Sequence, residues 1–501
     1  MNLIEQSSVS RLGVDVSSPR PMRAAHAVET YSLVAAALLA VFYFATSIYI
    51  ASHRPFWIDE ILTVEIAQLP DYRTIWSAVT HGVDGGSPVY DVVVRTFDKL
   101  VGNTEVAARL PSVLAMVAGM LIVFDCARRL TDNLHGLIAL SILTCSFLPY
   151  YGHEARAYAI YFMLAALSLW LWVHAPDGKQ SSAVLFGAVI FLAVTMHYYA
   201  VLLLAPYALW EISRWKPWRR PSWKLMAGVL GAVVALALLS PAIVSFAPVA
   251  AGYARIAGPA PVDGLRAAFP TMFPDGLWLL AGIAVWIALA VTKDNDAILP
   301  QPMQPSETVG WLFLCIPLAG FVVTELKASP FMSRYFIGAM PGVAIAFSCC
   351  SWRYFRGAQR VTMGILLILA TYGVAQQVTA TRHPERNAPS RHDAKLEDAL
   401  RKDGKQYFLV TNQARYLEAR HYSKHPEQYA YLASLDSGDL HQTMALARYY
   451  PMHFWTLEDL KEHARETALV APYPRIVETL KQAGFQLEVQ SSMPLQVFYL
   501  Q

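Results

Sequence analysis

Residues 31–60 read YSLVAAALLAVFYFATSIYIASHRPFWIDE. The first part of this stretch, 31–51, carries no charged side chain. An α-helix needs about 20 such residues to cross the hydrocarbon core of a bilayer. Charge returns only at its end, with Arg54 and then the acid pair Asp59-Glu60. The pattern is a membrane span that delivers two carboxylates to the interface.

Working outward, the pattern recurs. Further apolar runs fall at 104–127, 134–149, 157–173, 182–196, 200–212, 225–247, 276–291, 309–325, 335–351 and 361–378. The chain of 501 residues is 55% hydrophobic and 15% charged, where a soluble domain holds about 25% charged residues. A bilayer can cover that much apolar surface. The expected fold class is therefore an α-helical polytopic membrane protein of about eleven transmembrane helices. The net charge of +3 is too small to suggest nucleic acid as a partner. The five cysteines all fall in or beside apolar runs, so no disulfide framework is expected.

Lys and Arg are retained in cytoplasmic loops. Residues 1–30 are polar and read as a disordered cytoplasmic arm rather than a cleavable signal peptide. With this arm inside, the inner loops hold Arg128-Arg129, Lys179, the cluster from Arg214 to Lys224, Lys293, and Arg353, Arg356 and Arg360. The same rule divides residues 182–212 into two spans with an outer turn at His197-Tyr198-Tyr199. The membrane unit is expected over 31–378, with a first outer loop at 52–103. From 379 the composition turns polar. Strand-like pieces at 406–411, 428–433 and 495–500 alternate with helical pieces at 412–421 and 475–483, which suggests a small extracytoplasmic α/β domain over 379–501.

This topology gathers polar residues on the outer face. The first outer loop carries Asp59, Glu60, His81, Asp84 and Ser87-Pro88-Val89-Tyr90. Loops of this length usually carry function. The next corners carry His153-Glu154-Ala155-Arg156-Ala157-Tyr158, then His197-Tyr198, then Arg334-Tyr335. A carboxylate can take the proton of an attacking hydroxyl, and an Arg can hold a phosphate leaving group. Aromatic rings can stack on a sugar. Each feature alone has a plainer reading. Asp59-Glu60 can be a solvated acidic step, Glu154 and Arg156 a loop salt bridge, and His197-Tyr198-Tyr199 an interfacial aromatic belt. Arg334 can be a snorkelling side chain, and Arg109 is read as a helix-start anchor. No phosphate-binding loop or dinucleotide fingerprint is present, and His153-Glu154 lacks the second His of a zinc helix.

Taken in order, Asp59-Glu60, Ser87-Pro88-Val89-Tyr90 with Ala108-Arg109-Leu110-Pro111-Ser112, the 153–158 corner, the 197–199 turn and Arg334-Tyr335 with Pro341 resemble the GT-C superfamily of membrane glycosyltransferases. The resemblance is to the bacterial branch related to protein O-mannosyltransferases and the aminoarabinose transferase of lipid A. It covers roughly 31–378. It implies a polyprenyl-phosphate sugar donor and a glycolipid, glycan or protein acceptor at the extracytoplasmic side of the inner membrane. It implies Asp59 as catalytic base and Glu60 and Glu154 as supporting acids. Arg156 and Arg334 would take the donor phosphate, and His197 could serve either role. His81, His153, Tyr198 and Tyr335 join as substrate-binding candidates. The sequence departs from the family at His153, where Gln is usual, and at Ser87-Pro88-Val89-Tyr90, where Pro-Pro-Leu-Tyr is usual. No cofactor is implied with certainty, and use of a divalent cation stays open. The alternative function is a transporter or flippase of lipid-linked glycans; the absence of an obvious internal repeat argues against it.

Overall fold

The structure is a computed structural model that describes residues 20–102, 104–176, 178–214, 222–256, 261–291, 301–327, 331–384, 394–432, 440–472, 474–490 and 496–500. The expected arm at 1–30 lies outside these up to residue 19. Helix α1 (Arg20–His53) ends at the Arg54-Pro55 corner. Three short helices then fill the stretch 52–103 expected as the first outer loop: α2 (Ile58–Ala67), α3 (Tyr72–Thr80) and α4 (Pro88–Val101). Side chains start two of them. Asp71 accepts from the Thr74 N–H, and Ser87 accepts from the Val89 N–H ahead of Pro88. Such caps satisfy donors that a helix start would otherwise leave open.

The bundle continues with α5 (Glu105–Leu130), α6 (Asn133–Thr144), the single turn α7 (Leu148–Tyr151), α8 (Tyr158–His174), α9 (Gln180–Met196) and α10 (Leu204–Ser213). It goes on through α11 (Trp223–Ile256), α12 (Pro261–Met272), α13 (Gly276–Val291), α14 (Pro305–Leu312), α15 (Cys315–Lys327), α16 (Met340–Phe355) and α17 (Gln359–Arg382). Each of the eleven apolar runs coincides with a helix or a pair broken by a turn. Among the described residues, six helices are long and apolar enough to cross a membrane, and a seventh span is made if α12 and α13, bent by 47°, count as one. Helices α6, α8 and α9 are apolar but shorter. Broken and short helices are tolerated at membrane depth where protein covers their ends. After α9 the chain turns at His197, in extended conformation, into a 3-10 helix (Tyr198–Leu203) that leads into α10.

Helices α9 and α11 make the most intimate pair. A Cβ on Gly187 would lie 2.8 Å from the Ala227 carbonyl oxygen, and one on Gly231 would overlap the Gly187 carbonyl. Without a hydrophobic force between helices in lipid, close backbone packing of this kind holds them together. At the end of the bundle away from the acid pair, Lys224 donates to the carbonyls of Leu171, Trp172 and Ala175, which closes the end of α8.

The C-terminal part is the α/β domain read from its alternation, with more strands and helices than the sequence reading marked. It holds α18 (Ala394–Lys402), β1 (Tyr407–Val410), α19 (Gln413–Tyr422), β2 (Tyr429–Leu432), α20 (Leu440–Leu446), β3 (His453–Trp455) and α21 (Leu457–Glu462). It closes with β4 (Thr467–Val470), α22 (Pro474–Gln482), β5 (Leu487–Gln490) and β6 (Val497–Leu500). The sheet order is β3-β2-β1-β4-β6-β5. The strands from β3 to β4 run parallel, and β6 runs antiparallel to β4 and β5. All six strands are only three or four residues long, at the limit of what periodicity can mark, and of them β3, β4 and β5 went unmarked in the sequence.

This domain rests on α2 and the Phe56 corner before it. His421 Nδ1 lies 3.0 Å from Glu65 Oε1 and Arg420 3.7 Å from its other oxygen. The Tyr450 hydroxyl donates to the Glu65 carbonyl at 2.6 Å, and the Phe56 N–H donates to the Tyr422 hydroxyl at 2.6 Å.

Replacing Gly231 with Ala forces α9 and α11 apart. The expected cost is about 1–3 kcal/mol, the usual penalty of overpacking. It is read as a lower midpoint of thermal unfolding in detergent; an unchanged midpoint would contradict the close packing.

Candidate active site

The site is built on the turn after α1. Asp59 and Glu60 occupy the first turn of α2, where a helix favours negative charge, and they face opposite environments. Glu60 is fully buried. It accepts two hydrogen bonds from Arg109, at 2.8 Å from Nε and 2.7 Å from Nη2, one from the Ala155 N–H at 2.7 Å and one from the Trp57 N–H at 3.3 Å. Arg109 is also fully buried. Its remaining donors go to the carbonyls of Ala51, Arg54 and Pro55 at 2.9, 2.5 and 3.1 Å, and it lies over the Phe56 ring. Burial pushes the Glu60 carboxyl up, but Arg109, Arg54 and the Ala155 N–H outweigh it and hold its pKa below the ordinary value.

Glu154 and His153 share this buried cluster. Arg54 donates to Glu154 at 3.1 Å and lies 3.2 Å from His153 Nδ1. Burial raises the Glu154 carboxyl above its ordinary range against the pull of Arg54, and the charge of Glu60 adds to the rise. Burial and then Arg54 and Arg109 push His153 well down, so its ring is neutral.

Asp59, one residue earlier, opens on a cavity of about 580 Å³. Around it stand Trp57, Asp84, Asp91, Arg156, Tyr158, His197, Tyr198 and Arg334. Arg156 is the hub. Its Nη1 donates to the Asp59 carbonyl at 3.1 Å, to the Thr63 hydroxyl at 2.9 Å and to the Asp84 carboxylate at 2.7 Å. Arg334 lies 5.8 Å over the Trp57 ring. Burial raises the Asp59 carboxyl above its ordinary value; Arg156 and Arg334 pull it back, and Asp84 and Glu60 push with burial. Asp91 is buried, and burial with the Asp84 charge raises it well above its ordinary value. His197 stacks on Tyr161 with ring centroids 5.2 Å apart. Burial and the two arginines push it down to about 3, so it is a neutral hydrogen-bonding group. The Tyr198 hydroxyl donates to the Gly86 carbonyl at 2.8 Å.

Gly86 is required by this geometry, since a Cβ there would lie 2.5 Å from the Asp84 carboxylate. On the far side, Leu236, Ile243, Phe246, Ala247 and Ala250 of α11 form an apolar wall, and Asn412, Gln413 and Gln442 reach the cavity from the C-terminal domain.

Of the residues singled out in the sequence, Asp59, Arg156, His197, Tyr198 and Arg334 meet at the cavity. Glu60, Glu154 and His153 do not line it. They sit behind its wall with Arg54 and Arg109, and act on Asp59 by fixing the start of α2. Arg109 is more than the helix-start anchor read from the sequence, because it neutralises Glu60. His81 is exposed at the end of α3, where it hydrogen-bonds the Ser77 carbonyl, and it is not brought to the cavity. Tyr335 lies in a 3-10 turn (Ser333–Ala339), and its side chain is outside the described ones. Sequence reasoning missed Trp57 and Asp91. Asp91 stands one helical turn after Ser87, a spacing that could have marked it. Among the described residues, no group of three or more His, Cys, Asp or Glu side chains is arranged to hold a metal ion.

Two outcomes are expected. Replacing Glu60 with Ala leaves Arg109 charged and unpaired in the interior, at a cost of about 3–5 kcal/mol, seen as a large drop in the unfolding midpoint. Replacing Gly86 with Ala displaces the Asp84 carboxylate from Arg156, and should lower the activity measured below while that midpoint stays within a few degrees of wild type.

Residues 85–244 match the dolichyl-phosphate-mannose-protein mannosyltransferase family. ArnT from Cupriavidus metallidurans bound to undecaprenyl phosphate superposes with a TM-score of 0.59 at 14% identity, over 93% of this chain and 97% of that one. ArnT from the same organism in the apo state gives 0.59 at 13%, over 95% and 98%. A comparison with curated protein sequences finds no match. At these identities the likeness speaks for the fold, and it extends along nearly the whole of both chains. The chain has the fold of the GT-C superfamily of membrane glycosyltransferases and resembles its protein O-mannosyltransferase and aminoarabinose-transferase branch.

Proposed function

We propose that the protein is a glycosyltransferase that moves a sugar from a polyprenyl-phosphate donor to an extracytoplasmic hydroxyl acceptor, a glycolipid, cell-wall glycan or protein. The observation that carries this reading is the composition of the cavity. One half-buried carboxylate, Asp59, faces two guanidiniums, Arg156 and Arg334, beside an apolar wall from α11. That helix exposes Leu230, Val233, Leu238 and Val244 along its outer face, so a lipid tail has an apolar route to the wall. The undecaprenyl phosphate held by the Cupriavidus protein belongs to the same class of ligand.

The chemistry follows from the groups. Asp59 takes the proton of the acceptor hydroxyl as its oxygen attacks the anomeric carbon. The bond from that carbon to the phosphate oxygen breaks, and polyprenyl phosphate leaves with its charge held by Arg156 and Arg334. A single displacement inverts the anomeric configuration. The raised pKa of Asp59 makes it a stronger base than an exposed aspartate. The cluster of Glu60, Arg109, Arg54 and Glu154 holds its helix in place.

Purified protein in proteoliposomes, given radiolabelled undecaprenyl-phosphate sugars and native membrane glycolipids, tests the reading. Asp59→Asn should lower kcat by about 10²–10⁴ with the fold intact, the range of a lost general base. Transfer surviving at wild-type rate would remove Asp59 as the base, and movement of lipid-linked sugar across the bilayer without transfer would favour a flippase. The base must be ionised, so kcat/KM should fall on acidification through the Asp59 pKa. Since that pKa is raised, the acid limb should lie above 3.8.

A further inference from the structure

The C-terminal domain reaches the cavity at one defined place. Its four parallel strands are ordered β3-β2-β1-β4. The connection from β1 leads to β2 on one side, while β4 lies on the other. In open sheets of this kind, ligands bind outside the carboxyl ends of the strands at the point where the order reverses. Here that point is occupied by the start of α19. Asn412 caps the helix, its side chain accepting from the Arg415 N–H at 3.0 Å. The next residue, Gln413, lines the cavity. Gln413 is 3% exposed, and both its amide oxygen and its amide nitrogen lack a hydrogen-bond partner. A buried amide left this way costs free energy that a ligand can return. Gln442, in the helix after β2, lines the same wall.

The chemistry of the group narrows the ligand. A carboxamide presents one acceptor and one donor side by side and carries no charge. That pair complements two neighbouring hydroxyls of a pyranose, one donating and the other accepting. The phosphate is already served by the guanidiniums at Asp59. The helix is also rigidly mounted. Its last turn is tied to α2 through Arg420 and His421 on Glu65, so Gln413 is fixed relative to Asp59.

We propose that Gln413 is the sugar-reading residue of the C-terminal domain, binding vicinal hydroxyls of a pyranose held in the cavity. The proposal rests on the glycosyltransferase reading for its context and on the unpartnered amide for its substance. The pyranose is either the sugar of the donor or a sugar of the acceptor.

The test uses full-length protein in nanodiscs, wild type against Gln413→Leu, with the isosteric Gln413→Glu as a second variant and unfolding midpoints as a check. Three probes are titrated: undecaprenyl phosphate; undecaprenyl-phosphate glucose and mannose; and, with and without undecaprenyl phosphate present, methyl glucoside and methyl mannoside followed by saturation-transfer NMR. Loss of two neutral hydrogen bonds should weaken binding about tenfold. If the lipid-linked sugars weaken while undecaprenyl phosphate does not, Gln413 reads the donor sugar. If only the methyl glycosides weaken, it reads the acceptor. Equal weakening of undecaprenyl phosphate itself, or no difference between wild type and both variants for any sugar, overturns the proposal. Wild-type protein that binds glycosides but no undecaprenyl phosphate would instead defeat the lipid-donor reading and leave the subsite standing.

Discussion

The bidentate pair between Glu60 and Arg109 lies where neither partner touches water, and both partners are spent on backbone as well as on each other. Arg109 gathers the carbonyls of Ala51, Arg54 and Pro55. Glu60 accepts from the N–H groups of Trp57 and Ala155. The pair thus joins the end of the first span, the start of α2, the second long span and the 153–158 corner at one point. A buried charge is tolerated only where it is fully paired. That constraint fixes where α2 begins and leaves Asp59 on the cavity side.

Two neighbouring acids consequently differ in character. Glu60 is surrounded by donors and held ionised, and so is suited to positioning. Asp59 has few donors and two more distant guanidiniums, which leaves its proton affinity raised and its oxygens open to a ligand. Environment assigns opposite tasks to adjacent carboxylates. The same principle separates Glu154 from Arg156, two residues apart at one corner. Glu154 turns inward to Arg54, while Arg156 turns outward to Asp84 and the cavity.

The C-terminal domain belongs to this arrangement. Helix α19 bonds to α2 through Glu65 at one end and meets the cavity through Gln413 at the other. The proposed sugar contact and the helix that carries Asp59 are therefore mounted on mutually braced elements, which holds a site more tightly than free loops would.

Much of the membrane part was legible in the chain. The apolar runs marked their helices because a bilayer demands unbroken hydrophobic length, and the helix expected to be interrupted within 182–212 is interrupted at His197. The motifs at 59–60, 153–158, 197–198 and 334 marked the neighbourhood of the site. Sequence could not tell which of those side chains face the cavity, because a one-residue step on a helix turns a side chain by about 100° and burial then decides its partner. Glu60 and Glu154 were expected as supporting acids beside Asp59, and only the packing of Arg54 and Arg109 set them behind the wall. The amide of Gln413 lies more than three hundred residues from Asp59 along the chain, and no local pattern could bring it to the cavity. Composition and hydrophobic length determined the architecture, since they act on each segment alone. The tertiary structure decided the site, since it is made of contacts between segments.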